Sequence, residues 1–263
     1  MKIRIRASLR VIGGILTAAM MVTTLVGEKP ITYKSAPAVA IVGGDAYVLQ
    51  TPGNGHNAKV ATNRKSIHKF QLRAKDLNRT EPSSQRVEYA GAAKMPFSKD
   101  VWVAFSLKVD KAPTPPWVLV GQFHQTEDKG EPGTSPVFAQ ELNNGRFQIV
   151  TRGDAGKITR STTIKQRIHY INPAFPRGQW VNFVYRLRFE RNGSGRIQAW
   201  IGGKQVVNAT GPLGCNDRIG PYWKFGIYRA KNPGRKAITV HYANVEVGTA
   251  SLRSRIAKPK PIQ

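Results

Sequence analysis

The 263-residue chain carries 41 Lys and Arg against 15 Asp and Glu, a formal charge of +26, with 40% apolar residues and a single cysteine. This composition excludes a disordered polyelectrolyte, a membrane bundle and a disulfide-stapled scaffold, and it suffices for one domain with a full core. A positive field of this size draws in polyanions, so nucleic acid, an anionic membrane and an acidic polysaccharide all remain as partners.

The first ten residues hold Lys2, Arg4, Arg6 and Arg10, and residues 11–26 then carry no charge. A basic start before a short apolar run reads as an export signal, with Ala38-Val39-Ala40 as small residues for cleavage and an uncleaved anchor as the alternative. The expected organisation is a signal over 1–40, a folded domain over 41–250 and a basic tail over 251–263, expected to be loose. Five of the 26 net charges fall within 1–40, which leaves the folded part at +21. The expected location is secreted or periplasmic.

Residues 41–100 show few clean periods. From residue 101 onward an alternation of period two dominates, and it predicts strands over 101–109, 117–125, 137–142, 146–152, 180–189, 196–201, 222–229 and 237–247. Turn signals separate them, among them Asn143-Asn144-Gly145, Arg191-Asn192-Gly193 and Gly202-Gly203. No helical period persists between 101 and 250. Many strands at short spacing without helices indicate a sandwich or barrel.

Three segments have residue types that can do chemistry. In Gly121-Gln122-Phe123-His124-Gln125, strand parity sends Phe123 to the core and turns Gln122 and His124 outward together. An amide beside an imidazole can hold a carboxyl group and move a proton; a plain surface pair is the competing reading. In Tyr222-Trp223-Lys224-Phe225-Gly226-Ile227-Tyr228-Arg229, the residues Trp223, Phe225 and Ile227 share one face. Tyr222, Lys224, Gly226 and Tyr228 share the other, and an ammonium between two phenols is expected to lower a tyrosine pKa. In Gln85-Arg86-Val87-Glu88-Tyr89, Arg86 and Glu88 share a face, suited to binding a carboxylate or to an ordinary ion pair.

Two further strands add candidate substrate contacts. Arg186 stands with Asn182 and Arg188 opposite the apolar face of Val181, Phe183, Tyr185, Leu187 and Phe189, and an arginine-bearing face suits an acidic chain. Arg146 and Gln148 share a face of the strand over 146–152.

Several chemistries lack their residues. A glycosidase needs two flanking carboxylates, and no acidic pair at i, i+2 occurs. No phosphate loop and no His-Glu-x-x-His is present, and His56, His68, His169 and His241 are scattered. No cofactor is expected, although Glu127, Asp128 and Glu131 would suit a structural calcium ion. Cys215, in the turn Leu213-Gly214-Cys215-Asn216, is a weak candidate for a nucleophile.

In this order, Arg86-Val-Glu, Gln122-Phe-His124 and Tyr222-Trp-Lys-Phe-Gly-Ile-Tyr-Arg229 resemble the jelly-roll polysaccharide lyases. Alginate lyases of that fold carry Arg-Thr-Glu-Leu, Gln-Ile/Val-His and Tyr-Phe-Lys-Ala-Gly-x-Tyr, while the ending Gly-Ile-Tyr-Arg looks closer to the heparin lyase I-like and glucuronan lyase-like branch. The resemblance spans roughly residues 80–247. It implies an all-β, concanavalin-like jelly-roll sandwich of two curved antiparallel sheets that cleaves a uronate polymer by β-elimination. Carried over by position, Gln122 and Arg86 would neutralise the carboxylate, His124 would act as the base or assist it, and Tyr222 or Tyr228 would protonate the leaving oxygen. Lys224, Arg229, Glu88, Arg146, Gln148 and Arg186 would contact substrate. The polymer would be glucuronan, alginate or a heparin-like glycan, and the protein a monomer without a nucleic-acid partner. Arg86-Val-Glu-Tyr in place of Arg-Thr-Glu-Leu, and Arg229 in place of a polar residue, speak against alginate. The alternatives are a non-catalytic jelly-roll that binds acidic glycans and a basic nucleic-acid-binding protein.

Overall fold

The computed structural model describes residues 34–35, 39–51, 59–62, 67–73, 76, 83–111, 116–230 and 237–262. Most of the expected export signal, with His56, lies outside them. The strands begin with β1 (Lys34–Ser35), β2 (Val39–Val42), β3 (Asp45–Gln50), β4 (Lys59–Thr62), β5 (His68–Leu72) and β6 (Ser84–Gly91). They continue with β7 (Asp100–Val109), β8 (Trp117–Thr126), β9 (Phe138–Asn143), β10 (Arg146–Asp154) and β11 (Lys165–Asn172). The remainder are β12 (Trp180–Arg188), β13 (Ser194–Ile201), β14 (Lys204–Pro212), β15 (Gly214–Cys215), β16 (Ile219–Ala230) and β17 (Ile238–Gly248), followed by one helical turn, α1 (Ser254–Ala257).

Two sheets form. One runs β1-β4-β5-β17-β7-β12-β13-β14; the other runs β11-β10-β9-β8-β16-β6-β3-β2, with β15 joining β10 in parallel. The remaining pairings in the described residues are antiparallel. The chain crosses repeatedly between the sheets, the two-sheet jelly-roll arrangement. The core follows from the alternation: Phe105, Tyr185 and, just past β12, Phe189 meet Trp223, Phe138 and Phe123 of the second sheet in turn, with ring centroids 5.0–5.8 Å apart. Two of its buried phenols are hydrogen-bonded: Tyr185 accepts from Gln140 Nε2 at 2.7 Å, and Tyr242 donates to the Val120 carbonyl.

All eight strands expected after residue 100 are present, with no end shifted by more than three residues. Four of the strands that went unpredicted, β1, β2, β11 and β14, lie at sheet edges. β11 and β14 each bury little, so no apolar alternation marks them. β2 places Val39 and Ala40 in the sheet, with Ala40 buried. The tail expected to be loose is docked: Leu252 and Ile256 pack on Trp102, Val184 and Trp200, and Arg255 and Lys260 both pair with Glu246.

Candidate active site

The second sheet presents its outward face at β6, β16 and β8. Cross-strand register places Tyr222 opposite His124 and Lys224 opposite Gln122, while on the other side of β16 Tyr228 stands opposite Arg86 and Gly226 opposite Glu88. Gln122, His124, Lys224, Tyr228 and Arg86 therefore open onto one groove, with a cavity of about 330 Å³ closed by Gly133–Pro136 and Ser161. The register slips near Gly121. This β-bulge brings Trp117 and Leu119 onto the same face as Gln122 and His124, although odd and even positions should point apart. Gly121 permits it, because a Cβ there would run into Gln140 Oε1 and the Trp223 indole.

Glu88 ties the polar residues together. It is buried, accepts from Gln122 Nε2 at 2.5 Å, and pairs with Lys224 Nζ at 3.0 Å and more distantly with Arg86 Nη1 at 4.0 Å. Arg86 also donates to Gln50 Oε1 at 3.2 Å and lies over the Tyr228 ring at 4.8 Å. Two cations around one carboxylate leave a net positive charge at the floor of the groove.

His124 Nδ1 lies 2.9 Å from the Gln125 carbonyl. A carbonyl only accepts, so Nδ1 carries the proton and Nε2 of the neutral ring keeps its lone pair. Burial, helped by Lys224, pushes the imidazole pKa down, which keeps the ring neutral near pH 7. The Tyr222 ring stands 5.9 Å from the His124 ring, and Lys94 Nζ lies 3.5 Å over its face. The expected lowering of a tyrosine pKa does not hold for Tyr222. Burial raises it first, then the negative charges of Glu127 and Glu88, and together they outweigh the lowering by Arg86. Tyr222 is therefore a protonated phenol beside a neutral imidazole.

Residues 54–246 match the family model described as "Polysaccharide lyase". The chain belongs to the polysaccharide lyase family. No curated protein sequence matches it. Among solved structures it is similar to the endo-β-1,4-glucuronan lyase of the fungus Trichoderma reesei, at 15% identity and a TM-score of 0.59, over 83% of this chain and 95% of that one. It is also similar to an alginate lyase from Pseudomonas aeruginosa, at 14% identity and a TM-score of 0.53, over 78% of this chain and 98% of that one. At such identities the likeness is one of fold, and it bears out the jelly-roll expectation.

Not every expected contact of the lyase reaches the groove. Arg229 follows Tyr228 and so points the other way: it is wholly buried and donates to Gln85 Oε1 at 2.7 Å and to the Arg73 carbonyl at 2.9 Å. Burial lowers its pKa to about 10. It braces β16 against β6 and cannot touch substrate there. Arg186 lies on β12 of the other sheet, held by Asp100 at 2.5 Å, so the arginine-bearing face is not the groove. Arg146 is exposed beside the turn at Asn143 and Gly145 and does not line the cavity. Gln148 is buried and donates to Glu141 Oε2 at 2.8 Å, a supporting role.

Other residues of the groove escaped the sequence reading. Glu141 is buried and accepts from Arg152 Nη2 at 2.9 Å, Gln148 and the Trp117 indole at 3.2 Å. Arg152 and Trp117 line the cavity. The signal was present: a charge inside each of two apolar strands, 137–142 and 146–152, calls for a partner of opposite sign. Among the described residues no group of three His, Cys, Asp or Glu side chains could hold a metal ion, so the loop considered for calcium supplies no such set. Cys215 is buried, and burial pushes its thiol up to about 12, the state of an inert cysteine.

Proposed function

We propose that this lyase cleaves a uronic-acid-containing anionic polysaccharide by β-elimination and leaves a 4,5-unsaturated uronate end. The observation that carries the reading is the placement of His124 directly opposite Tyr222, with Gln122 and Lys224 opposite each other one pleat further along. The C5 proton of a uronate is weakly acidic, because the adjacent carboxylate resists further negative charge. Gln122, Arg86 and Lys224 supply the hydrogen bonds and positive charge that stabilise the enolate-like transition state. His124 Nε2 takes the C5 proton, and the C5–H electron pair becomes the C4–C5 double bond. The C4–O4 bond breaks, and O4 leaves with the proton of Tyr222. The proton balance closes when the His124 imidazolium loses its proton and the Tyr222 phenolate regains one.

Tyr222 rather than Tyr228 is assigned the acid role. C5 and O4 are both bonded to C4, so base and acid must stand side by side. Tyr228 lines the same cavity as His124, but its backbone lies six residues further along β16 than that of Tyr222, roughly 15 Å or more at the usual rise per strand residue. With Trp117, which meets it edge-on at 5.9 Å, it offers an apolar platform for a sugar ring. The basic start and uncharged run of the sequence support a secreted or periplasmic location.

Incubation of the protein with glucuronan, alginate and heparin-like polymers tests the reading. Growth of ultraviolet absorbance from an unsaturated end is expected with at least one of them. Binding without any such growth would leave a glycan-gripping module in place of an enzyme.

A further inference from the structure

The face of Arg186, unused by the groove, has its own organisation. On the outward side of β7, β12, β13 and β14 a polar ladder crosses the strands. Arg186 donates to Asp100 Oδ2 through Nε at 2.9 Å and to Gln198 Oε1 through Nη1 at 3.2 Å. Gln198 Nε2 reaches Asn208 Oδ1 at 3.4 Å, and Arg196 Nη2 reaches the same atom at 3.3 Å. Beside this ladder the indoles of Trp102 and Trp200 lie 6.2 Å apart and nearly parallel, at 11°, with the Arg186 guanidinium 5.7 Å from the Trp102 ring. Strands and docked tail together enclose a depression of about 680 Å³, lined by Trp102, Arg186, Gln198, Trp200, Gln205 and Arg253 among others. That volume lies within the ~300–1,000 Å³ typical of small-ligand sites.

We infer that this depression is a second, non-catalytic binding site for an acidic oligosaccharide, on the sheet opposite the groove. A sugar offers an apolar C–H face to an indole and hydroxyls to amides and guanidinium groups, and both surfaces are present. Trp200, half-buried on β13, is the exposed part of the aromatic pair, while Trp102 is nearly covered. Arg186 is already held by Asp100, so it orients hydroxyls, whereas the exposed Arg253 and Arg196 supply charge complementary to carboxylates. The ladder is in place before any ligand arrives, which lowers the ordering cost of binding. A polymer gripped here raises the local concentration of chain near the groove.

The ligand class rests on the uronate reading of the groove; the location of the site does not. Titration of the full-length His124→Ala protein with short glucuronan and alginate oligosaccharides is expected to reveal one binding site beyond the groove, and Trp200→Ala should remove it. In the catalytically intact chain, Trp200→Ala, Gln205→Ala and Arg253→Gln should each raise KM for polymer, by up to about tenfold. Their kcat and their rates on short oligosaccharides should stay unchanged. The last two change exposed rim residues, so they report even if Trp200→Ala unfolds. Unchanged stoichiometry and unchanged polymer KM in the rim variants would overturn the inference, as would retention of single-stranded DNA in place of uronates. If the parent protein binds uronates through Trp200 yet cleaves none, the reaction proposed above fails and this site stands.

Discussion

Tyr222 faces His124 across the ladder of β16 and β8, with ring centroids 5.9 Å apart and the two planes inclined at 37°. Lys94 Nζ lies over the face of the Tyr222 ring, 3.5 Å from its centroid. A proton acceptor and a proton donor are thus held side by side by backbone hydrogen bonds, without a loop whose motion must bring them together.

Removing either partner should abolish turnover while sparing the fold. His124→Ala and Tyr222→Phe should each slow formation of the unsaturated end by about 10²–10⁴-fold, the usual worth of a positioned acid or base. Tyr228→Phe keeps its ring against Trp117 and should cost less than about tenfold in rate. Initial rates by ultraviolet absorbance, with circular dichroism as the control for folding, check the ranking. Equal losses in the two tyrosine variants would contradict the assignment of the acid.

The pH profile follows from the two shifts. Burial lowers the His124 pKa, so the base is lost only below the ordinary imidazole value of about 6.5. Burial raises the Tyr222 pKa, so the acid is lost only above the ordinary phenol value of about 10. Plotted against pH, kcat/KM should rise through an acid limb below about 6.5 and hold a broad plateau until the phenol ionises. An acid limb centred above 7 would show that some other group is the base.

Glu88 neutralises buried charge, so its loss should hurt stability as well as rate. Glu88→Ala strands Lys224, whose side chain is 3% exposed, and takes the acceptor from Gln122. The expected loss is about 3–5 kcal/mol of unfolding free energy, the range for breaking a buried pair. Urea unfolding measures it. A loss below about 1 kcal/mol would mean that the pair is solvated in solution.

Asp217 introduces a stability dependence of the opposite kind from an ordinary carboxylate. Burial, with Glu131 and then Asp128 and Glu127 nearby, raises its pKa to about 7. The folded protein therefore holds this proton while the unfolded chain, at about 3.9, has released it. Stability falls as pH rises from about 4 to about 7 on account of this group, and the full penalty applies above that window. Asp217→Asn should raise the melting temperature at pH 8 and change it little at pH 4. Thermal melts at the two pH values decide the matter, and an equal shift at both would refute the linkage.

The all-β class and the core were legible because side-chain direction in a strand has a period of two, a local property. Phe123 beside Gln122 and His124, and Trp223 beside Tyr222 and Lys224, needed only that parity. The groups around Glu88 were legible one segment at a time, but their meeting across β6, β16 and β8 depended on register. Arg186 marks the limit: it sits in a strand of correct parity, yet that strand belongs to the opposite sheet. Arg229 instead shares the parity of Trp223, Phe225 and Ile227, so its inward turn to Gln85 was legible in the strand itself. Trp117 reached the groove only through the bulge near Gly121.

The sequence by itself determined which residues turn outward within each strand, and hence that an imidazole, an amide, an ammonium and two phenols were available for chemistry. Which sheet a strand enters, where its register slips and which buried charge answers which were decided only in the tertiary structure. Those outcomes are set by pairing and burial between segments far apart in the chain, and no local pattern encodes them.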